Sequence, residues 1–457
     1  MSMVKFSWAV AFAALLAPLQ PAPACAQGQD FRPIVNQGER ILEFDWSDIR
    51  VGTAEYEEGP TGATVISFGR RALVAMDARG GGPGTVNSDY IGLGYDLAEL
   101  DAVVFSGGSW YGLETVTAVA SAMKDDGYRD GSAFTDPPNI ALVTGSIIFD
   151  YGPRRLNEIY PDSRLAQAAY RAAQPGRFAL GAEGAGRFTI SGGFFGCNAY
   201  SGQGGAFRQI GELKIAVFTV VNAYGAVVDR QGRIPTCYSG PNWPPGAGIT
   251  DLMQAYPDSA RPGWGENARR QNTTVSLVVI NQRMAPAELH RLAVQVHTSM
   301  ARGIQPFATL YDGDVLYAAS TQELDLNESG LSSVEISVIA SELMWDAILS
   351  AAPQQPVAPE PAQAPVLSAA RTARLAGTYS FSPEASLRVT TNGLRVFAQA
   401  VGERNVYAIG REAATELLPV SQSDFVIPGR YPLVLRFERS GRLVINPGHW
   451  EQTGRRV

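Results

Sequence analysis

The sequence predicts a large layered α/β (α+β) domain followed by a small antiparallel β domain. Three observations carry this. Apolar stretches of strand character alternate with helical stretches from about residue 35 to 352. The segment 353–365, "PQQPVAPEPAQAP", then interrupts the chain with a composition that is semi-extended and builds no core. Beyond it, from 368 to 457, only short alternating runs remain.

The elements follow in chain order. Residues 1–26 carry one early Lys5, an apolar run from Phe6 to Leu19 and the small-x-small end Ala24-Cys25-Ala26. That pattern is a secretory signal peptide, so residues 27–352 form the mature large domain and the protein is expected in the periplasm or secreted medium. Lipidation on Cys25 is the weaker reading. In the large domain 64–77, 100–107, 139–152, 212–229 and 273–281 read as strands. The stretches 113–127, 285–304 and 332–352 read as amphipathic helices, the first stopped by Gly127. After the linker, 353–367, the tail 368–457 alternates with period two around Thr391-Asn392-Gly393 and Ser440-Gly441, which serve as hairpin turns of a small barrel or sandwich.

Composition narrows the function. Hydrophobic residues make up 45% and charged ones 18%, as in an ordinary globular protein, and the net charge of −7 comes without any Lys/Arg block. Nucleic acid and anionic membrane are therefore not expected partners. No segment after the signal has an unbroken apolar run long enough to span a bilayer. Cys197 and Cys237 are the cysteines left after the signal, and an oxidising compartment allows them to pair or to stay separate. With His290, His297 and His449 they are too few and too badly spaced for zinc, so no metal or cofactor is expected.

Three stretches could carry chemistry. "GGSWYG" (107–112) follows a strand and precedes a helix, as a serine nucleophile should, but misses the G-x-S-x-G spacing by one residue and has no well-placed histidine. "RGGGPGT" (79–85) lacks both the Walker lysine and the dinucleotide fingerprint, and reads as a tight turn with close backbone packing. The third is "NTTVSLVVIN" (272–281), where Thr273 stands between Asn272 and a buried strand. Attack of the Thr273 hydroxyl on the Asn272 carbonyl would shift the acyl group from nitrogen to oxygen, and water would cleave the ester. Thr273 would then be a new N-terminus, whose α-amine, with an ordinary pKa of about 7.7–8.0, can act as a general base without any histidine. A plain strand start is the bland alternative.

Seven motifs in order decide between them: "RGGGPGT", "DAVVFSGGSWYGLE" (101–114), "SIIFDYG" (146–152), "GAEGAG" (181–186), "VVNAYGAVVD" (220–229), "NTTVSLVVIN" and "YDGDVLYAAST" (311–321). Over about residues 35–350 the chain resembles the P1 (DmpA-type) family of N-terminal-nucleophile hydrolases, which includes L-aminopeptidase/D-Ala-esterases, β-aminopeptidases and nylon-oligomer hydrolases. The resemblance implies a four-layer αββα sandwich, self-cleavage between Asn272 and Thr273, and hydrolysis of a small peptide or amide substrate. It places the nucleophile on Thr273, the oxyanion-binding amide on Asn222 and an acid pair on Asp312 and Asp314. Alternation predicts both acids on one strand face. Tyr151 matches a substrate-pocket aromatic. The family implies a homo-oligomer of processed heterodimers. The tail, through "LAGTY" and "RFERSGR", resembles the lipocalin-like domain appended to some secreted hydrolases.

One motif departs. Many members carry "GAGTGATVGK" where this chain has "GAGRFTISGG" (184–193), so the family lysine falls on Gly193, and "FFGCNAYSGQGG" (194–205) is also unlike the usual segment. Arg187 lies six residues earlier. The departure leaves one alternative, a catalytically impaired relative acting as a binding protein; the GGSWYG stretch leaves another, a secreted serine esterase using Ser109.

Overall fold

A computed structural model describes residues 31–457, apart from 58, 94–97, 136–138, 152–158, 196, 198, 237–247, 255–271, 327, 354, 356–364, 383–384, 403–405, 407–408, 428–432 and 447–450. The signal segment 1–26, Cys237, His449 and most of the linker lie outside the described residues.

The large domain is built on β1 (Ile49–Tyr56), β2 (Thr61–Ala78), β3 (Glu99–Ser106), β4 (Val143–Ile147), β5 (Gln203–Ile210), β6 (Leu213–Val220), β7 (Val275–Gln282) and β8 (Val315–Leu324). Strand β2 belongs to two layers. Its second half pairs with β8, Ala78 opposite Val315, in the order β5-β6-β7-β8-β2. Its first half pairs with β1 and β3, and β3 continues to β4. The register against β3 slips between Ser67 and Ala72, where the strand passes from one layer to the other.

Side-chain alternation shows what each layer faces. Along β6, Leu213, Ile215 and Val217 join a core with α3 (Pro286–Ser299) and α4 (Ser333–Ser350), through Leu289, Leu292, Val296, Ile336 and Met344. The residues between them, Ala216, Phe218 and Val220, join Ile49, Val51, Ile66, Phe68 and Phe105 of the other layer. On the far side of that layer lie α1 (Glu114–Asp125) and α2 (Ser163–Arg171), which bury Val116, Val119 and Ala122, and Leu165 and Ala169. The architecture is a four-layer αββα sandwich. Strands buried on both faces must be apolar throughout, which is why β7 and β8 read as near-continuous hydrophobic runs.

Two predicted strands are shorter than the apolar pattern suggests. The run 139–152 forms β4 only over Val143–Ile147, and 212–229 forms β6 only to Val220. In both, the chain leaves the sheet to deliver polar groups to one place, described below. Helix α4 starts at an N-cap Ser332, whose hydroxyl accepts from the Glu335 amide (3.3 Å) while the Glu335 carboxylate accepts from the Ser332 amide (2.9 Å).

After helix α5 (Ala369–Leu375) the tail closes into an eight-stranded antiparallel barrel over Gly377–Arg456. Leu387, Val389, Val396, Phe425, Leu435, Phe437 and Leu443 are buried together as its core. Both predicted hairpin turns are present, with Gly393 (φ 64°) and Gly441 (φ 84°) in the left-handed region. Among the described residues no helix is long and apolar enough to cross a membrane.

Candidate active site

The site lies where β7 and β8, which run parallel, begin side by side. Asn272 and Thr273 lead into β7 and Asp312 to Asp314 lead into β8, so the two strand entrances meet. Asn272 bridges Asp312, its amide donating to the Tyr311 carbonyl at 2.9 Å. The Asn272 carbonyl accepts from two donors. The Gly313 amide reaches it at 2.8 Å and the Thr273 hydroxyl at 2.6 Å. The Thr273 amide donates to the Asn222 carbonyl at 2.7 Å. Asn272 and Thr273 are both buried.

The acid pair is held by backbone amides. Asp314 accepts from Thr274 N–H at 2.6 Å and Ala308 N–H at 3.1 Å. Asp312 accepts from Tyr224 N–H (3.1 Å), Thr309 N–H (2.9 Å) and the Thr309 hydroxyl (2.5 Å). Both stand just before β8, Asp312 in a bridge with Asn272. Burial pushes both carboxyls up from the ordinary range, and the charge of Asp312 pushes Asp314 further.

Asn222 stands just past the end of β6. Its Oδ1 accepts from Ile190 N–H (3.2 Å) and its Nδ2 donates to the Phe149 carbonyl (2.9 Å), which fixes the amide orientation and leaves one N–H of Nδ2 to spare. Phe149 lies just past the end of β4, so the two early strand endings create this contact. The glycine loop after β2 straps the approach to β8. Arg79 N–H donates to the Asp314 carbonyl at 3.0 Å and Gly82 N–H to that of Asp312 at 2.9 Å. Close approach explains the glycines: a Cβ on Gly80 would lie 2.2 Å from Asp314 N, and one on Gly313 would lie 2.8 Å from Thr273 Oγ1.

The profile of peptidase family S58 matches residues 44–374. A 6-aminohexanoate-oligomer endohydrolase from Paenarthrobacter ureafaciens is 37% identical over 336 residues, 70% of this chain and 89% of its own length. That of Kocuria sp. (strain KY2) is 38% identical, over 71% of this chain and 89% of its own. The chain belongs to peptidase family S58. A solved β-aminopeptidase from Burkholderia sp. is 15% identical, covers 70% of this chain and 89% of its own, and superposes with a TM-score of 0.49. The motif resemblance to DmpA-type and nylon-oligomer hydrolases thus stands, and by family the chain is an amide hydrolase.

Against the S58 pattern, Gly193 sits in a short 3-10 turn, Gly193–Phe195. Arg187 is paired with Glu55 at 3.0 Å. Tyr151 donates its hydroxyl to the Gly108 carbonyl at 3.2 Å and meets Phe149 edge-on at 5.7 Å. Ser109 has φ 49°, and among the described residues no histidine hydrogen-bonds it. His297 is buried with Nδ1 2.9 Å from Asp77, and His290 is exposed. Cys197 is disulfide-bonded.

Sequence reasoning missed three aromatic residues and one threonine here. Tyr224 gives its amide to Asp312, Tyr311 gives its carbonyl to Asn272, and Phe194 packs on Tyr224. Thr309, which holds Asp312 through two donors, was readable only as the residue three before an acid, the spacing of a side-chain-to-backbone turn.

Proposed function

We propose that the chain is an exported precursor that cuts its own Asn272–Thr273 bond, and that the freed Thr273 hydrolyses short linear amides. The observation that carries this is the set of partners around the Asn272 carbonyl. The hydroxyl that would attack lies 2.6 Å from the carbonyl oxygen, and a rigid backbone donor, Gly313 N–H, lies 2.8 Å from the same oxygen. That donor stabilises the oxyanion as Thr273 Oγ1 adds to the carbonyl carbon. Collapse breaks the C–N bond, the Thr273 nitrogen takes the hydroxyl proton, and water cleaves the resulting ester.

After the cut the Thr273 nitrogen is an amine beside the Asn222 carbonyl, 2.7 Å away in the precursor. In turnover this amine takes the proton from Oγ1 as Oγ1 attacks the substrate carbonyl, and returns it to the leaving amine. The spare N–H of Asn222 Nδ2 supports the oxyanion. Asp314, one residue along the chain through Thr274 N–H, favours the ammonium form when it is ionised, and Asp312 supports the segment 309–314. Water then hydrolyses the acyl ester.

The substrate class follows the family and its 6-aminohexanoate-oligomer relatives: flexible linear amides with a free amino end. Residues 1–26 direct export, and the processed pieces assemble as a homo-oligomer of heterodimers. The test is release of primary amine from linear 6-aminohexanoate oligomers by wild type and Thr273→Ala. Thr273→Ala is expected to remain one chain and release no amine. A cut or active Thr273→Ala protein refutes the mechanism.

A further inference from the structure

Three aromatic rings from segments that meet at the site form a row in which the buried Tyr224 lies between Tyr311 and Phe194. Tyr311, whose carbonyl holds the Asn272 amide, is 42% exposed. Its ring meets Tyr224 edge-on with centroids 5.9 Å apart, and Tyr224 meets Phe194 edge-on at 5.4 Å. The Tyr224 backbone N–H donates to the Asp312 carboxylate at 3.1 Å, so these rings stand beside the acid pair.

Phe194 comes from the segment that departs from the family pattern, and backbone hydrogen bonds anchor that segment. Gly192 N–H donates to the Gly225 carbonyl at 2.7 Å and Phe194 N–H to the Tyr224 carbonyl at 2.9 Å. The next ring, Phe195, is buried against Ala226, Val228 and Leu252. Cys197 closes the segment: it is disulfide-bonded, and its amide returns to the Gly192 carbonyl at 2.9 Å. A loop tied down at both ends presents its one half-exposed ring in a fixed place, at little entropic cost on binding. Where the family pattern has a lysine, Gly193 brings no charge to these rings.

We infer that the turn Gly193–Phe195, beside the disulfide-bonded Cys197, is the specificity element of the site, and that Phe194 with Tyr311 selects amides whose spacer beside the scissile bond is a long run of methylenes. This rests on the amide-hydrolase reading above and names the substrate feature it recognises. A polymethylene spacer buries apolar area on ring faces. A short spacer leaves the rings wet and brings its next polar amide against them.

The test uses processed full-length protein and two linear trimers that differ only in methylene count, one of 6-aminohexanoate and one of 3-aminopropanoate. Wild type is expected to prefer the longer spacer in kcat/KM. Phe194→Ala and Tyr311→Ala are each expected to lower that preference about tenfold, through KM on the longer trimer with kcat kept. Phe194→Leu, which keeps an apolar side chain, restores most of it. A wild type that prefers the shorter trimer, or variants that slow both trimers alike, overturns this inference and leaves the amide-hydrolase reading in place. A wild type that cleaves neither trimer overturns that reading and this one with it.

Discussion

Replacing Asn222 by Ala separates the two reactions assigned to this site. The scissile Asn272 carbonyl takes hydrogen bonds from Gly313 N–H at 2.8 Å and from Thr273 Oγ1 at 2.6 Å, while the Asn222 side chain is bonded to Ile190 N–H and the Phe149 carbonyl. Self-cleavage is therefore expected to proceed in Asn222→Ala, while turnover loses its oxyanion donor. One such donor is worth about 2.7–4 kcal/mol, so kcat falls about 10²–10³-fold. The substitution also strands the Ile190 amide and the Phe149 carbonyl, which Asn222 now meets at 3.2 and 2.9 Å. Each buried orphan costs about 1–3 kcal/mol, so the melting temperature falls as well. The assay is single-turnover and steady-state amine release, read on protein whose two chains and circular dichroism match wild type. A kcat within threefold of wild type removes the oxyanion role. An uncut Asn222→Ala precursor, folded by circular dichroism, refutes the assignment of the cleavage oxyanion to Gly313.

Two further perturbations follow from the geometry. In Gly313→Ala the new methyl would stand 2.8 Å from Thr273 Oγ1 and 2.7 Å from the Gly82 carbonyl, so self-cleavage is expected to slow at least tenfold on a gel time course, and wild-type kinetics would contradict this. Glu183 is buried beside Glu55, and burial first, then the Glu55 charge, raises its pKa from 4.5 to about 8. The folded state thus prefers the protonated acid, so this stability is fully present below pH 4.5 and is lost as pH rises through about 8. Glu183→Gln keeps a neutral group at every pH, and its melting temperature is expected to gain on wild type between pH 5 and 9, by up to roughly 5 kcal/mol of stability; a difference that does not change with pH refutes the shift.

Much of the frame was legible because burial on both faces forces apolar strands. The cores of β2, β3, β6 and β7 and of α1, α3 and α4 stand where periodicity puts them, give or take a few residues. Strand β1, "IRVGTAEY", and the edge strand β5, "QGGAFRQI", carry glycine and polar residues that dilute the pattern, and they were not read. The strand endings were over-read for a functional reason. Phe149 and Asn222 lie on apolar runs, yet their chain leaves the sheet so that carbonyl and amide can meet. Asn272-Thr273 stood out because a hydroxyl before a buried strand has chemical meaning. Asp312 and Asp314 were found by resemblance, and they stand just before β8 begins. Phe194, Tyr224 and Tyr311 come from three segments whose meeting depends on sheet order, which no local pattern encodes.

The most direct test of the account is the intact mass of the purified wild-type protein, with N-terminal sequencing of every fragment. The account predicts two chains, one of them beginning Thr-Thr-Val-Ser at Thr273. A single folded chain running unbroken through Asn272 and Thr273, and still releasing amine from an amide substrate, would contradict it.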